Sequence, residues 1–381
     1  MIKNKLKLSL AAAMMITTCS YAGSVTAPNI GQIELSGDME LKLVREKSDT
    51  DTISKRTAEV NLNLDAKASN GLEIHTIFTA YDDNQADENA EKNMRVKEAY
   101  IVQPFMNGKA KVIAGLAPNN TYGTDAFDNG GESWKVAVNV PVAKGVKVTV
   151  VSKVENEEAK DNNQGDSGAT ALRIDAKVGS FMIGAKYGQA FMNKGDGFAG
   201  LPLEEKEKKA KVLMAYATGE ISGFDLGFEY AQKDITLQNT PTAFTQPKKQ
   251  KGYYASVGKE LGAFSIGLGY INLKDGMTGG EDFAPGMILD GNINSSGKDL
   301  TTSAIVLPLG YSFNENLSVS ATYIDGDIEN AGKDANIREI DLGLEYVFNE
   351  NITLSTVYGD YDSSIAGNDQ KNLEFSVAIT F

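Results

Sequence analysis

The chain has 381 residues, 51 acidic and 37 basic side chains, a formal net charge of −14 and a mean hydropathy of −0.26. Such acidity argues against nucleic acid as a partner, because phosphates need a basic surface, and it suggests a field that draws cations. Beyond the N-terminal segment no apolar stretch is long enough for a membrane-crossing helix. A membrane-spanning β-barrel survives that exclusion, because only alternate residues of each strand face lipid.

Lys3, Lys5 and Lys7 precede a short apolar run at 8–18, and Ser20-Tyr21-Ala22 fits the small-x-small rule. The pattern predicts a signal peptide over 1–22 and one mature domain over 23–381. Cys19 follows Ile16-Thr17-Thr18, a poor lipobox, so the ordinary signal is the preferred reading. Residues 1–22 hold three of the bases and none of the acids, so cleavage takes the net charge to about −17 and removes the single cysteine. Disulfides, thiolate metal sites and cysteine nucleophiles are then excluded.

Period-two patterning predicts strands over 30–44, 54–68, 72–80, 94–105, 110–117, 135–142, 146–154, 169–178, 181–189, 210–221, 224–232, 252–260, 264–272, 301–313, 317–325, 338–348, 352–359 and 371–381. They number eighteen; sixteen would follow if two segments near 110–142 were not strands. Tight Gly/Asn turns such as Asn70-Gly71, Asn107-Gly108, Ser222-Gly223 and Asn349-Glu350-Asn351 alternate with long links at 81–93, 118–134, 155–168, 190–209, 233–251, 273–300, 326–337 and 360–370. The predicted fold is all-β: a transmembrane antiparallel β-barrel with short periplasmic turns and long extracellular loops. In 94–105 either Ala99 and Ile101 or Tyr100 and Val102 face lipid.

Strands leaving short turns carry Tyr230, Tyr270, Tyr323 and Tyr358 on the outward face beside long loops. Strands returning to the turns end in Phe313, Phe348 and Phe381. These are two membrane girdles, one at each interface. The four Tyr-bearing segments span only about 15 Å against a ~25 Å apolar band, so some strands must run further than their apolar pattern shows. Residues 314–346 repeat at 349–381 with an offset of 35, as in a barrel that grew by hairpins. The last segment, NLEFSVAITF, alternates strictly up to Phe381.

Signal, strand count, loop rhythm and terminal Phe together resemble a Gram-negative general porin. The chain is most similar to the Opr-type major outer membrane porins of epsilon-class proteobacteria. The resemblance implies an outer-membrane homotrimer that passes ions and small hydrophilic solutes passively, with a preference for cations. Lipid bilayer and lipopolysaccharide are the surrounding partners, and neither a cofactor nor catalysis is needed. It also implies that the third outside loop, about 118–134, folds into the lumen, although the PEFGG signature of many porins is missing there.

That loop offers Asp125, Asp128 and Glu132 as an acidic constriction. By alternation Lys97, Lys111, Lys147, Arg173 and Lys177 line the facing wall, with Arg95 at the rim. Opposed carboxylates and cations would set a transverse field and the ion selectivity; ordinary solvated lumen charge is the plainer account of any single residue. His75, the one histidine, faces inward, and no orienting acid stands near it in sequence. Asp82-Asp83, Asp325-x-Asp327 and Asp360-x-Asp362 offer oxygens of the kind calcium takes, though none forms an EF-hand and solvated loop charge explains them as well. Trp134 reads as a belt anchor. A substrate-specific channel, for carboxylates or sugars, and a surface adhesin or structural barrel are the alternatives. Small outward residues such as Ala58, Ala66 and Ala114 place the trimer contact on the N-terminal wall.

Overall fold

A computed structural model describes residues 25–27, 30–48, 51–83, 94–119, 122–124, 126–127, 131–156, 167–193, 207–238, 249–279, 285–289, 300–330, 333–364 and 369–381. The segment predicted as a signal peptide, and Asp125 and Asp128, lie outside them.

A three-residue strand β1 (Val25–Ala27) is followed by β2 (Ile30–Ser48), β3 (Thr52–Ala68), β4 (Glu73–Asp83), β5 (Met94–Phe105), β6 (Ala110–Pro118) and β7 (Glu132–Ala143). Then come β8 (Val146–Asn156), β9 (Ser167–Val178), β10 (Phe181–Asn193), β11 (Glu207–Ile221), β12 (Phe224–Gln238) and β13 (Gln250–Leu261). The series ends with β14 (Phe264–Lys274), β15 (Leu300–Ser312), β16 (Leu317–Asn330), β17 (Lys333–Asn349), β18 (Ile352–Ser363) and β19 (Gln370–Thr380). Each strand from β2 to β19 pairs antiparallel with its neighbours in sequence, and β19 pairs with β2, so eighteen strands close into a barrel. Both β6 and β7 are present, which removes the sixteen-strand alternative. β1 folds back on the start of β2, below the part that pairs with β19. At that seam Gly37 and Phe381 exchange two backbone hydrogen bonds, at 2.8 and 2.9 Å.

The short turns use the chemistry their sequences announce. Ser222 and Gly223 have φ of 54° and 76°, the left-handed pair that a twisted two-residue hairpin requires. Asn314 Oδ1 accepts hydrogen bonds from the amides of Asn316 and Leu317, and Asn316 Nδ2 donates to the Val347 carbonyl at the end of the next strand. One repeat later Asn349, Asn351 and Thr380 do the same. The 35-residue repeat is thus a hairpin with its own cap.

The strands are longer than their apolar pattern, as the width of the membrane demanded. β2 has 19 residues and β17 has 17. Three pairs of strands correspondingly stand closer in sequence than expected: β2 ends at Ser48 and β3 starts at Thr52, β16 ends at Asn330 and β17 starts at Lys333, and β18 ends at Ser363 and β19 starts at Gln370. Beyond the lipid a strand needs no apolar face, so alternation stops while pairing continues. In β5 a bulge lies between Arg95 and Glu98, where Thr79 pairs with Arg95 and Ile77 with Glu98. One extra residue flips the face, so Ala99 and Ile101 point outward while Tyr100 and Val102 point into the bore.

Outward faces are apolar. Tyr230, Tyr270, Tyr323 and Tyr358 stand on this face near the long loops, and Phe313, Phe348 and Phe381 near the turns. Tyr230 packs on Tyr253, and Phe264 on Tyr311, at ring separations of 5.1 and 4.5 Å. Trp134 is outward and 59% exposed. Among the described residues no helix is long and apolar enough to cross a membrane.

Candidate functional site

The lumen face of β7–β12 alternates short side chains with cations. In register, Ala137, Val151, Ala171, Gly188 and Val212 form one row. The next row toward the loops is Lys135, Lys153, Ala169, Ala190 and Ala210; the next toward the turns is Asn139, Thr149, Arg173, Lys186 and Met214. The short residues leave a cavity of about 430 Å³. Lys135, Lys147, Lys153, Arg173, Lys186 and Lys233 line it, together with Phe127, Phe191 and Met277, and no carboxylate of the described residues does. Lys135 stands directly opposite Lys153, and Arg173 opposite Lys186. Like charges paired across strands are destabilising; here Asp175 offsets Arg173, and Lys135 donates to the Pro118 carbonyl and to Asn119 Oδ1.

The acids of this wall are covered. Asp175 is 2% exposed. The Arg173 Nε donates to both of its oxygens at 2.9 Å, Tyr216 donates to Oδ1 at 2.8 Å, and Lys147 Nζ lies 3.7 Å from Oδ2. Asp175 therefore fixes the guanidinium and offsets part of the charge of Arg173 and Lys147. Glu229 on β12 is fully buried, beneath the β6–β7 link.

The described part of that link lies on lumen-facing residues of β9–β13. Tyr122 is buried, edge-on to Tyr216 at 4.7 Å, with the Arg173 guanidinium 4.6 Å above its ring. Burial pushes the Tyr122 hydroxyl up from the ordinary phenol value. Thr124 donates from its amide (2.8 Å) and its hydroxyl (2.7 Å) to Glu229 Oε2. Phe127 covers Gly252 on β13, where a Cβ would fall 2.3 Å from the ring. Gly123 has φ +72°, and a Cβ there would strike Tyr216 and Glu229. Small residues on the wall and in the loop thus make the seat.

A second link, β14–β15, packs further round the wall on β17, and its Met277, Ile288 and Leu289 belong to the same buried cluster as Tyr122 and Phe127. The amides of Ile288 and Leu289 donate to the two oxygens of Glu339 at 2.7 and 2.8 Å, and that of Met287 to Asp341 at 3.0 Å. Leu289 and Glu339 are fully buried. No expectation from sequence covered this contact. Its signal is the trio Met287-Ile288-Leu289, an apolar patch within a polar loop.

The remaining wall, β2–β5, mixes charges and leaves acids exposed to the bore. Lys97, at the β5 bulge, meets Glu59 at 3.2 Å, and Lys42 meets Glu40 at 3.2 Å. Arg95 lies near the loop end of the same wall, opposite Thr79. His75 Nδ1 is 2.6 Å from Asp65 Oδ1, and its ring stacks on Tyr100 at 4.8 Å. Asp65 is the acidic neighbour that ten residues of sequence separation concealed.

Of the residues singled out from sequence, Lys147 and Arg173 meet at Asp175 and line the cavity. Lys111 and Lys177 lie on the lumen face near the turns, Lys111 opposite Asn139 and Lys177 opposite Met182. Glu132 is the first residue of β7, opposite Pro118, on the alternate face from Ser133 and Lys135. Alternation from Arg173 and Lys147 would have found Lys135, Lys153, Lys186 and Lys233, which were missed. Among the described residues no group of three or more His, Cys, Asp and Glu is arranged to hold a metal ion.

A closed antiparallel barrel with apolar outside, aromatic girdles and a charged bore defines an outer-membrane channel. The chain belongs to the Gram-negative porin family, whose model matches residues 9–381. Among solved structures it is similar to OccK3 (OpdO) of Pseudomonas aeruginosa, at 12% identity and a TM-score of 0.66, covering 92% of this chain and 95% of that one. OccK2 (OpdF) of the same organism, in complex with glucuronate, gives 10%, 0.64, 92% and 98%. OccAB3 of Acinetobacter baumannii gives 10%, 0.63, 92% and 99%. Among curated protein sequences none matches.

Proposed function

We propose that this porin is a passive channel whose narrow part passes small hydrophilic anions, carboxylates foremost. The β6–β7 and β14–β15 links, which share one buried cluster, form its constriction together. The observation that carries the reading is the cavity lined by five lysines and an arginine, whose neighbouring acids Asp175 and Glu229 are buried. At about 4 Å and an effective dielectric near 20, one ammonium attracts a carboxylate by about 4 kcal/mol. Charge more than about 8 Å away in physiological salt is largely screened. Local lining therefore outweighs the net charge of the chain for a solute at the wall. The glucuronate seen with OccK2 is a sugar acid of this chemical class. No cofactor or catalytic step is called on.

The sign of the reversal potential in a salt gradient across a planar bilayer is the test. Anion preference, lost in the Lys147→Gln/Arg173→Gln/Lys186→Gln variant, is the expected result. A second reading, cation preference, draws on the net charge and on the half-buried, lysine-paired acids of β2–β5 such as Glu59 and Glu40; the opposite sign would establish it. Competition of the current by low concentrations of one sugar acid would add substrate specificity to passive diffusion.

We further propose a homotrimer joined through the small outward residues of the N-terminal wall. Ala58→Trp/Ala66→Trp/Ala114→Trp should migrate as a monomer in native gels, and an unchanged trimer would count against that contact. Calcium is assigned no site. The adhesin alternative predicts a bilayer without conductance.

A further inference from the structure

The β14–β15 link rests on two carboxyl groups that no cation balances. Glu339 and Asp341 are two residues apart on β17, so both point into the bore. Glu339 is fully buried and Asp341 is 8% exposed. They stand level with the loop-side Tyr row, where Tyr323 pairs with Ile340 and Tyr358 with Leu342. The two groups lie within hydrogen-bonding reach of each other. Both Glu339 oxygens and Asp341 Oδ2 accept amides of the link. Asp341 Oδ1 is buried beside Gly359, and no donor reaches it.

The surroundings offer the pair little else. On β16 it faces Thr322 and Ile324, and on β18 Gly359 and Tyr361. The nearest further acid of β17 on the lumen face is Glu345, beyond Gly343. Among the described residues that face the pair, Tyr361 is the only other titratable group and none is a cation. Two carboxylates that share a buried site do not both stay ionised. One proton held by the pair removes the repulsion. Carried on Asp341, it gives that carboxyl a hydrogen to donate, and Glu339 keeps the charge that its two amides stabilise. Once the link lifts, water reaches both groups and each ionises as an ordinary carboxylate.

We infer that the seat of residues 287–289 on β17 is proton-linked: the seated pair holds one proton, carried by Asp341, and the unseated pair releases it to water. Acid surroundings fasten the link and alkaline ones free it. The seated state binds the extra proton, so seating is strongest in acid. Above the pH at which the seated pair ionises, seating stops falling; between the two pairs' ionisation points it weakens by up to about tenfold per pH unit. The effect on transport rests on the reading that this link is part of the constriction: the passage narrows in acid surroundings and widens in alkaline ones.

The test uses the full-length protein in detergent micelles from about pH 5 to about pH 9, above the ordinary carboxylate range. The rate of proteolytic cleavage in the β14–β15 link reports unseating. Asp341→Asn keeps a carbonyl for the Met287 amide and stands in for the protonated acid. The ratio of wild-type to Asp341→Asn rates cancels the pH dependence of the protease, and it should rise with pH by up to about tenfold per unit. Tyr361→Phe should follow the wild type, and Glu339→Gln should be cleaved readily at every pH. Heat-modifiable migration shows that each barrel is intact. A ratio that stays flat, with the wild-type link as firm at the alkaline end as at the acid end or the variant loosening in step with it, would overturn the inference. Unit conductance in planar bilayers over the same range tests the passage separately. Cleavage that follows pH beside conductance that does not leaves the proton-linked seat standing and refutes the constriction reading.

Discussion

Replacing Glu229 with Ala should release the β6–β7 loop from the barrel wall. Glu229 is fully buried and receives both the amide and the hydroxyl of Thr124, at 2.8 and 2.7 Å. A hydrogen bond to a charged group contributes about 1.5–3 kcal/mol, so the pair holds roughly 3–6 kcal/mol before rehydration. In the lumen the freed Thr124 groups regain water, which leaves a latch of about 2–4 kcal/mol. Loss of that latch raises the population of the displaced loop by roughly 30- to 1000-fold. The assay is single-channel recording in planar bilayers, where larger unit conductance and stronger open-channel noise are expected. Thr124→Val, which removes the hydroxyl bond and keeps the amide one, should show a smaller change of the same sign, and adding it to Glu229→Ala should change little more. Gly123→Ala tests the seat without touching charge: at φ +72° the new methyl meets Tyr216 Cβ at 2.7 Å. If Glu229→Ala and Gly123→Ala both leave conductance, noise and ion preference unaltered, the loop does not govern the passage and the reasoning fails.

Other outcomes follow from the same contacts. Glu339→Gln removes the carboxylate that holds the amides of Ile288 and Leu289; the β14–β15 link should open to protease while the barrel stays folded, as limited proteolysis and heat-modifiable migration would report. Arg173→Ala uncovers the buried Asp175 and removes the cation above Tyr122; the reversal potential should move toward cations by tens of percent in permeability ratio or more, with Tyr216→Phe, which drops the 2.8 Å bond to Asp175 but keeps the guanidinium, moving it less. Gly37→Val places atoms 2.6 Å from the Phe381 ring and the Asn61 carbonyl at the closing seam; a loss of about 1–3 kcal/mol should appear as a lower melting temperature of heat-modifiable migration.

Much of the architecture was legible because lipid enforces it. Every strand crossing the membrane must show an apolar face at period two, so the eighteen strands, the outward Tyr and Phe rows and the turns all stood in the sequence. Strand ends were not legible: β16 runs to Asn330 and β17 starts at Lys333, through residues such as Asp327, Glu329 and Asp334 that face water on both sides. The β5 bulge at Lys97 was also invisible, since one inserted residue leaves both registers apolar enough to read. The cations Lys147 and Arg173 were found by alternation alone. What surrounds them was hidden, because Tyr122, Tyr216 and Glu229 meet across about a hundred residues of chain and Gly252 carries no chemical label. The second in-packed link was missed for the same reason, apart from the Met287-Ile288-Leu289 patch.

The Asn-Glu-Asn cap reaches from each hairpin to the end of the strand after it, at Val347 in one copy and Thr380 in the next. Each 35-residue unit is therefore a tile that carries its own mortar. Circumference becomes a modular quantity: one in-frame duplication of 314–348 lengthens the ring by two staves, keeps both chain ends on the same side, and asks for no redesigned joint.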